Sequence, residues 1–380
     1  MRPLRILVVD DSVVARRLLQ QVLEREPGLE PVAFAPNGRV AMGKLTTLDV
    51  DAVVLDVEMP IMNGLETLSA IRERYPDLPV FMFSSLTQEG AKTTVEALVR
   101  GATDCVVKPT NTRHRDDALR QIGDTLIPKL KALYGRKVAA GAPPRLKPQS
   151  AALAPSAPRK KRPSLKKLPR SRTPIAIGIG ASTGGPNALA QLIGDLGRRF
   201  SLPIAITQHM PPLFTSMLAQ RLDKITDLSV REAKSGDVLG PGSVLIAPGD
   251  CHLTFVRRRQ NVVAQLSHDP PENSCRPSVD VMFRSLADCY GSSLVTVVLT
   301  GMGSDGAAGV RLVRESGGIC IAQDQATSTV WGMPGAVVQA GLAHQELPLD
   351  EIGSALRGMT LARSRPRSRP VKAVAGGGRR

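Results

Sequence analysis

The sequence predicts an α/β protein made of two doubly wound domains, each with a parallel β-sheet covered by helices on both faces. Short apolar runs alternate with helical patterns over the first 125 residues, and a second alternation begins near residue 174. These runs are apolar along their whole length, which is typical of strands buried on both faces. The 380 residues suffice for two cores of ordinary size.

Four segments follow from this pattern: a first α/β domain at 1–125, a linker at 126–173, a second α/β domain at 174–358 and a tail at 359–380. Most of the linker, and the tail, are rich in Pro, Ala, Ser and basic residues and show neither helical nor strand periodicity. We expect both to be disordered, because such segments cannot build an apolar core.

The net charge of +16 comes from the linker and the tail. Residues 136–172 carry 12 Lys and Arg without any Asp or Glu, and residues 361–380 carry 7. The remainder of the chain is therefore slightly acidic. We expect no specific nucleic-acid site in either α/β domain.

Targeting signals and cysteine motifs are both absent from the sequence. No apolar run approaches the roughly 20 residues that span a bilayer, and the N-terminal run reaches two acidic residues too early for a signal peptide. We therefore expect a cytoplasmic protein without membrane insertion. The five cysteines lack C-x-x-C spacing and predict free thiols used for apolar packing.

The strand-like runs of the first domain end in residues whose side chains can bind a ligand or react with it. LRILVV is followed by Asp10 and Asp11, DAVVL by Asp56, VFMF by Ser84 and DCVV by Lys108. Ligands in parallel sheets bind at these strand ends. Three clustered carboxylates are tolerated when a hard dication such as Mg²⁺ bridges them, and one can then accept a phosphoryl group. Helix capping explains Asp10 and Asp11 alone, but not the whole set.

The second domain opens with an apolar strand, a Gly-rich turn and a helix. Ser182 lies in Gly-Ala-Ser-Thr-Gly, a G-x-S-x-G turn that exposes a serine hydroxyl. A serine needs a base and an orienting carboxylate. His209 ends the strand LPIAITQ, and Asp305 follows the strand LVTVVLTG. The other histidines fall in the first domain (His114) or in segments predicted as loop or surface (His252, His268, His344).

The same glycines allow two other interpretations. The spacing of Gly178, Gly180 and Gly184 resembles a dinucleotide-binding turn. Such a site requires an acidic residue at the end of the next strand to bind the ribose. That strand ends in Gln208 and His209 instead. The turn could also serve only for packing, with Ser182 as a helix cap.

Residues 1 to about 125 resemble a two-component receiver domain at VVDDS, LDVEMPIMNG, Ser84 and VVKP. The resemblance implies a flavodoxin-like fold and a histidine kinase as phosphodonor. It also implies Asp56 as phosphoacceptor, Mg²⁺ bound by Asp11 and Asp56 with support from Asp10, and a switch pair at Ser84 and Lys108. One departure is Cys105, where many receivers have a switching aromatic residue.

Residues 175 to about 357 resemble chemotaxis protein-glutamate methylesterases (the CheB family) at IGASTGGP, QHMPPLFT, RPSVDVMF, LTGMGSDGA and WGMPGAV. This implies a Rossmann-like domain with nucleophile Ser182, base His209 and carboxylate Asp305, and with Thr183 and Met302 shaping the site. Implied substrates are glutamyl methyl esters and certain glutamines of methyl-accepting chemotaxis receptors. No cofactor is implied for the hydrolysis.

From these residues we expect a monomeric, phosphorylation-activated esterase whose unphosphorylated receiver covers the catalytic cleft. One competing class is a DNA-binding response regulator. It would need a recognition helix, whereas the second domain presents strands and Gly turns. Another is a scaffold that has lost its triad, which is disfavoured because all three catalytic positions are filled.

Overall fold

The computed structural model describes residues 2–109, 114–139, 174–197 and 199–361, and it confirms two parallel-sheet α/β domains. The first domain consists, in chain order, of β1 (Leu4–Val9), α1 (Val13–Glu24), β2 (Leu29–Ala35), α2 (Gly38–Thr47), β3 (Ala52–Asp56), α3 (Gly64–Arg74), β4 (Val80–Ser84), α4 (Gln88–Val99), β5 (Asp104–Val107) and α5 (Arg115–Ala139).

The first sheet has the strand order β2-β1-β3-β4-β5, and all its strands are parallel. Strands β3 and β4 are buried at every residue, as their uninterrupted apolar sequences predict. Helix α1 begins after Ser12, whose side chain accepts a hydrogen bond from the Ala15 N–H. Ser12 is therefore the N-cap, and Asp10 and Asp11 stay available at the end of β1.

Helix α5 extends into the predicted linker. The predicted domain boundary at residue 125 falls inside this helix, which continues to Ala139. The reason is a stripe of buried residues at helical spacing (Leu126, Ile127, Leu130 and Leu133), on a helix that packs against α1. The rest of the predicted disordered linker, and nearly all of the tail, lie outside the described residues.

The second domain is a seven-stranded parallel sheet with an antiparallel hairpin beside it. Its elements are β6 (Ala176–Ala181), α6 (Gly185–Leu196), β7 (Ile204–Gln208), α7 (Phe214–Asp223), β8 (Ser229–Glu232), β9 (Ser243–Ile246), β10 (His252–Arg258), β11 (Asn261–Ser267), α8 (Val279–Tyr290), the 3₁₀ turn Gly291–Ser293, β12 (Leu294–Val298), α9 (Ala307–Glu315), β13 (Ile319–Gln323), α10 (Met333–Gln339), β14 (Gln345–Leu347) and α11 (Leu349–Leu361).

The sheet order β14-β13-β12-β6-β7-β9-β8 places the switch point between β6 and β12. From β6 the chain builds one half of the sheet outward through β7, and it later returns to β12 to build the other half. A crevice forms where the strand order reverses, at the carboxyl ends of these strands. Ser182, His209 and Asp305 follow β6, β7 and β12 and therefore lie at this edge.

The glycines of β6 are explained by close packing of α8. A Cβ at Gly178 would lie 2.9 Å from Leu286 Cδ1, and a Cβ at Gly180 would overlap the Val279 side chain. This accounts for two of the three glycines of the dinucleotide-type pattern. Helix α6 has Gly184 as its N-cap, so Ser182 does not cap it.

The two domains contact each other through α4, which packs against α6 and α7. Arg221 Nε on α7 lies 3.1 Å from Glu96 Oε2 on α4. Val330 of the second domain is buried in an apolar cluster otherwise formed by the first domain. None of the described helices is long and apolar enough to span a bilayer.

Candidate active site and phosphoacceptor site

The predicted phosphoacceptor residues meet at the end of the first sheet. Asp10 and Asp56 are buried, and the Lys108 Nζ lies 3.0 Å from Asp10 Oδ2 and 2.8 Å from Asp56 Oδ1. Burial raises the pKa of Asp56 to about 6, helped by the neighbouring Asp10 and opposed by Lys108. The site thus holds more negative charge than one lysine neutralises.

The donor set at this site fits a magnesium ion. Oxygen atoms of Asp10, Asp11 and Asp56 lie within 4.8 Å of one another. Asp10 Oδ2 is buried and accepts no hydrogen bond among the described residues, although the Lys108 Nζ is close to it. A hard dication with carboxylate ligands would satisfy that oxygen.

Ser84 is at the end of β4, as predicted, with its hydroxyl directed toward α4. Ser84 Oγ lies 2.7 Å from Thr94 Oγ1 and 3.3 Å from the Gly90 carbonyl oxygen, and all three groups are buried. The predicted switch residue Ser84 therefore contacts the helix that packs on the second domain.

Ser182 and His209 occupy equivalent positions on neighbouring strands. Ala181 pairs with Gln208 in the β6–β7 register, so the residues that follow them lie side by side, with strands about 4.8 Å apart. The His209 N–H donates to the Ala181 carbonyl at 3.1 Å. The Gln208 side-chain amide donates to the carbonyls of Ser182 (2.9 Å) and His209 (3.3 Å), which ties the two positions together.

Asp305 is a buried carboxylate that orients His209. Its Oδ2 lies 2.8 Å from His209 Nε2 and accepts a hydrogen bond of 2.7 Å from the Val279 N–H, at the start of α8. Its Oδ1 accepts four more, from the side chains of Asn273 and Ser278 and the N–H groups of Asp280 and Gly306. Although burial opposes ionisation, these donors together lower the pKa of Asp305 well below its usual range.

The His209 side chain has an unusually high pKa, so its neutral form would be a strong base. Burial disfavours its charged form, but Asp305 and the nearby Cys275 outweigh that effect and raise the pKa of His209 to about 9. When the ring is neutral, Nε2 carries the proton because it faces a carboxylate, and Nδ1 has the lone pair. Nδ1 lies 3.6 Å from Cys275 Sγ. Within the described ranges no hydrogen bond joins this ring to Ser182 Oγ.

Thr183 and Met302, predicted to shape the site, have different surroundings. Thr183 is buried, and its hydroxyl donates a 2.5 Å hydrogen bond to Asp104 Oδ2 of the first domain. The next residue, Gly184, donates its N–H to the Thr103 carbonyl at 3.0 Å. Met302 is 36% exposed in the turn between β12 and Asp305.

Sequence reasoning misplaced His252 and missed Gln208, Ser278 and Cys275. His252 was predicted in a loop or at the surface, but it is the first residue of β10 and is buried. Its burial is tolerated because both ring nitrogens have hydrogen-bond partners, the Pro270 carbonyl and the Ser278 N–H. Gln208 was considered only as an argument against a dinucleotide site, although a polar residue that ends an apolar strand is itself a signal. No sequence signal identifies Cys275.

The cysteines are free thiols, as predicted, but they are not all apolar packing residues. Cys105, Cys289 and Cys320 are buried. Cys251 and Cys275 are partly exposed, and the sulfur of each lies near a histidine ring.

Comparison with known proteins gives the same division of the chain. Residues 177–356 match the CheB methylesterase family model, and residues 6–120 match the response regulator receiver domain model. A crystal structure of the Thermotoga maritima CheB methylesterase catalytic domain is 41% identical and covers 50% of this chain and 100% of its own, with a TM-score of 0.48.

Two relatives match along nearly their whole length, and both are named protein-glutamate methylesterase/protein-glutamine glutaminase. The protein of Trichodesmium erythraeum is 46% identical over 348 residues, covering 92% of this chain and 96% of its own. The protein of a Nocardioides species is 45% identical over 376 residues, covering 98% and 99%. The chain therefore belongs to the family of CheB methylesterases that carry an N-terminal receiver domain.

Proposed function

We propose that this protein is a phosphorylation-regulated protein-glutamate methylesterase that removes methyl groups from glutamyl methyl esters of chemotaxis receptors. It also deamidates particular receptor glutamines. The observation that carries the proposal is the His209–Asp305 pair beside Ser182 at the switch point of the second sheet. The near-full-length relatives named for both activities support the choice of substrate.

The hydrolysis proceeds in two steps through Ser182. His209 Nδ1 takes the hydroxyl proton as Ser182 Oγ attacks the ester carbonyl, and Asp305 stays ionised to stabilise the imidazolium. Collapse of the tetrahedral intermediate expels methanol, which takes its proton from His209. Water then attacks the acyl-serine with the same base, which releases a glutamate carboxylate. With a glutamine substrate the first leaving group is ammonia.

Phosphorylation takes place on Asp56. Its carboxylate attacks the phosphoryl group of a phosphohistidine on a chemotaxis histidine kinase, and Lys108 neutralises charge on the transferring oxygens. Asp11 and Asp56 would hold a magnesium ion with Asp10 in support, and the ion would supply further charge neutralisation. Lys108 and Ser84 then hold the new phosphate.

The unphosphorylated receiver inhibits the catalytic domain in this proposal. Two acceptors of the first domain, the Thr103 carbonyl and the Asp104 carboxylate, engage the two residues that follow the nucleophile. When Ser84 turns from Thr94 to the phosphate, α4 loses a buried contact with the end of β4. That change weakens the α4 interface and uncovers the site.

We also propose that the protein is a cytoplasmic monomer that binds no specific nucleic acid.

The test of the proposed substrate is methanol release from methylated receptors. Ser182→Ala should lower the rate at least about 1,000-fold, because removing a triad nucleophile has effects of that order or larger. Phosphorylation of Asp56 should continue in this variant, which shows that its receiver domain is folded. Retained methanol release would remove Ser182 from its role.

A further inference from the structure

The proposed triad leaves one reactive side chain unused in the active site, the thiol of Cys275. Cys275 Sγ lies 3.6 Å from His209 Nδ1, the nitrogen that has the lone pair when the ring is neutral. A ligand atom from each of Cys275, His209 and Asp305 falls within 4.8 Å of the others. A soft sulfur donor and an imidazole nitrogen thus face the same small volume.

We propose that Cys275 and His209 bind a soft divalent cation of the zinc type, and that this ion inhibits the esterase. The proposal concerns a site that hydrolysis does not require. Its inhibitory consequence rests on the proposed function, because it needs His209 as the base. Binding of the ion itself does not.

The separation of the two donor atoms fits zinc. Zinc lies about 2.3 Å from a thiolate sulfur and about 2.0 Å from an imidazole nitrogen, and at a tetrahedral angle this places the two donors about 3.5 Å apart. The 3.6 Å between Cys275 Sγ and His209 Nδ1 is therefore already close to the bound distance. The ion can enter without a large movement of either side chain.

Asp305 supports this site from behind the ring. Its two oxygens already accept six hydrogen bonds, so it acts on the metal through His209. A carboxylate that accepts the second ring N–H fixes the tautomer and makes the free nitrogen a better ligand. The Asp305 carboxylate, which orients His209 as a base, thus also favours zinc binding at Nδ1.

The loop that carries Cys275 is held in place on both sides. Glu272 and Cys275 exchange two backbone hydrogen bonds of 3.1 and 2.9 Å. Glu272 also forms two 2.6 Å hydrogen bonds to the Arg284 guanidinium, and Asn273 donates to Asp305 at 3.0 Å. The thiol is thus held beside the ring before any ion arrives.

Binding inhibits by occupying the base. The Cys275 thiol releases its proton to solvent as the metal–sulfur bond forms. The His209 ring, where it is protonated, releases its Nδ1 proton to solvent as well, and the Nδ1 lone pair then binds the metal. His209 can then no longer accept the Ser182 proton. Magnesium does not compete, because it prefers oxygen ligands.

The surface pair Cys251 and His268 provides a matched control. Cys251 Sγ lies at nearly equal distances from the two ring nitrogens, 3.6 and 3.8 Å, so it is not aligned with the lone pair of either nitrogen. His268 Nδ1 already contacts the Asp250 carbonyl at 3.0 Å. The donors of this pair do not converge on one point, so we expect no comparable site there.

The first measurement is a CoCl₂ titration of the reduced full-length protein, which reports binding without any substrate. The wild type and Cys251→Ser should give a cobalt–thiolate charge-transfer band at one equivalent, and Cys275→Ser and Cys275→Ala should lose it. A band that persists in the Cys275 variants, or that is lost in Cys251→Ser, overturns the site whether or not the protein is an esterase.

The second measurement is methanol release at increasing ZnCl₂, with each variant compared with its own rate in chelator. Loss of one of two protein ligands should raise the half-inhibitory zinc concentration at least about tenfold in Cys275→Ser. Cys251→Ser should match the wild type. Equal zinc sensitivity in the wild type and Cys275→Ser overturns the inhibitory role.

Discussion

Thr183, the residue after the candidate nucleophile, donates a 2.5 Å hydrogen bond to Asp104 at the start of β5 in the receiver domain. The other oxygen of Asp104 lies 2.8 Å from the Lys129 Nζ on α5. Burial works against the charged amine, but Asp104 outweighs it and the pKa of Lys129 is raised. The Asp104–Lys129 ion pair of the receiver domain thus contacts Thr183, the residue that follows Ser182, directly.

Weakening this contact should activate the unphosphorylated enzyme. In Asp104→Asn the acceptor is no longer charged, and a hydrogen bond to a charged group is worth about 1.5–3 kcal/mol. We expect basal methanol release to rise about threefold to tenfold, with a smaller further gain on phosphorylation. Asp117→Asn is the control, since Asp117 is an exposed partner of Arg120 in the same domain. An unchanged basal rate in Asp104→Asn would contradict a restraining role.

Removing the receiver domain should raise the basal rate of methanol release more than Asp104→Asn does. We expect deletion of residues 1–139, which takes α5 out entirely, to raise basal methanol release and to abolish the response to a phosphodonor. The comparison is the full chain assayed with and without phosphodonor. Activity equal to or below that of the unphosphorylated full chain would show that the receiver does not inhibit.

Thr94 should couple Asp56 to the domain interface. Thr94→Val removes the hydroxyl that lies 2.7 Å from Ser84 Oγ but keeps the shape of the side chain. We expect phosphorylation of Asp56 to proceed while the ratio of phosphorylated to basal esterase rates changes at least about twofold. Thr93→Val is the neighbouring control, because the Thr93 hydroxyl donates to the Glu89 carbonyl on an exposed side of α4. Equal activation ratios in the two variants would exclude the route through Thr94.

The esterase rate should rise with pH until His209 is neutral. The raised pKa of His209, about 9, leaves most of the base protonated near neutral pH. Since only the neutral ring accepts the Ser182 proton, kcat/KM should increase about tenfold per pH unit below pH 9 and level off above it. The profile is measured with a zinc chelator present. A plateau already reached at pH 7 would contradict the raised pKa.

The sites at strand ends could be predicted from the sequence because parallel strands bring their carboxyl ends to one edge. Asp10, Asp56 and Lys108 meet as expected, and His209 contacts Asp305. Contacts that depend on loops or on domain packing gave no such signal. Cys275 reaches His209 through an irregular loop, with positive φ at Asn273 and Ser274.

Helix α5 was not predicted, because the linker was taken to begin at residue 126. Pro128 lies inside this helix and lacks the N–H that the helix ladder uses. Burial of the flanking Leu126 and Leu130 outweighs this local cost.

Ser182 is the group that becomes acylated in the proposed mechanism, and the Cys275 thiol beside the same base is a rival nucleophile. The direct measurement is acid quenching of the enzyme during turnover of a methylated receptor, followed by peptide mass mapping. We predict a receptor peptide linked to the peptide that contains Ser182, and no such link in Ser182→Ala. A link to the peptide that contains Cys275 would contradict the account.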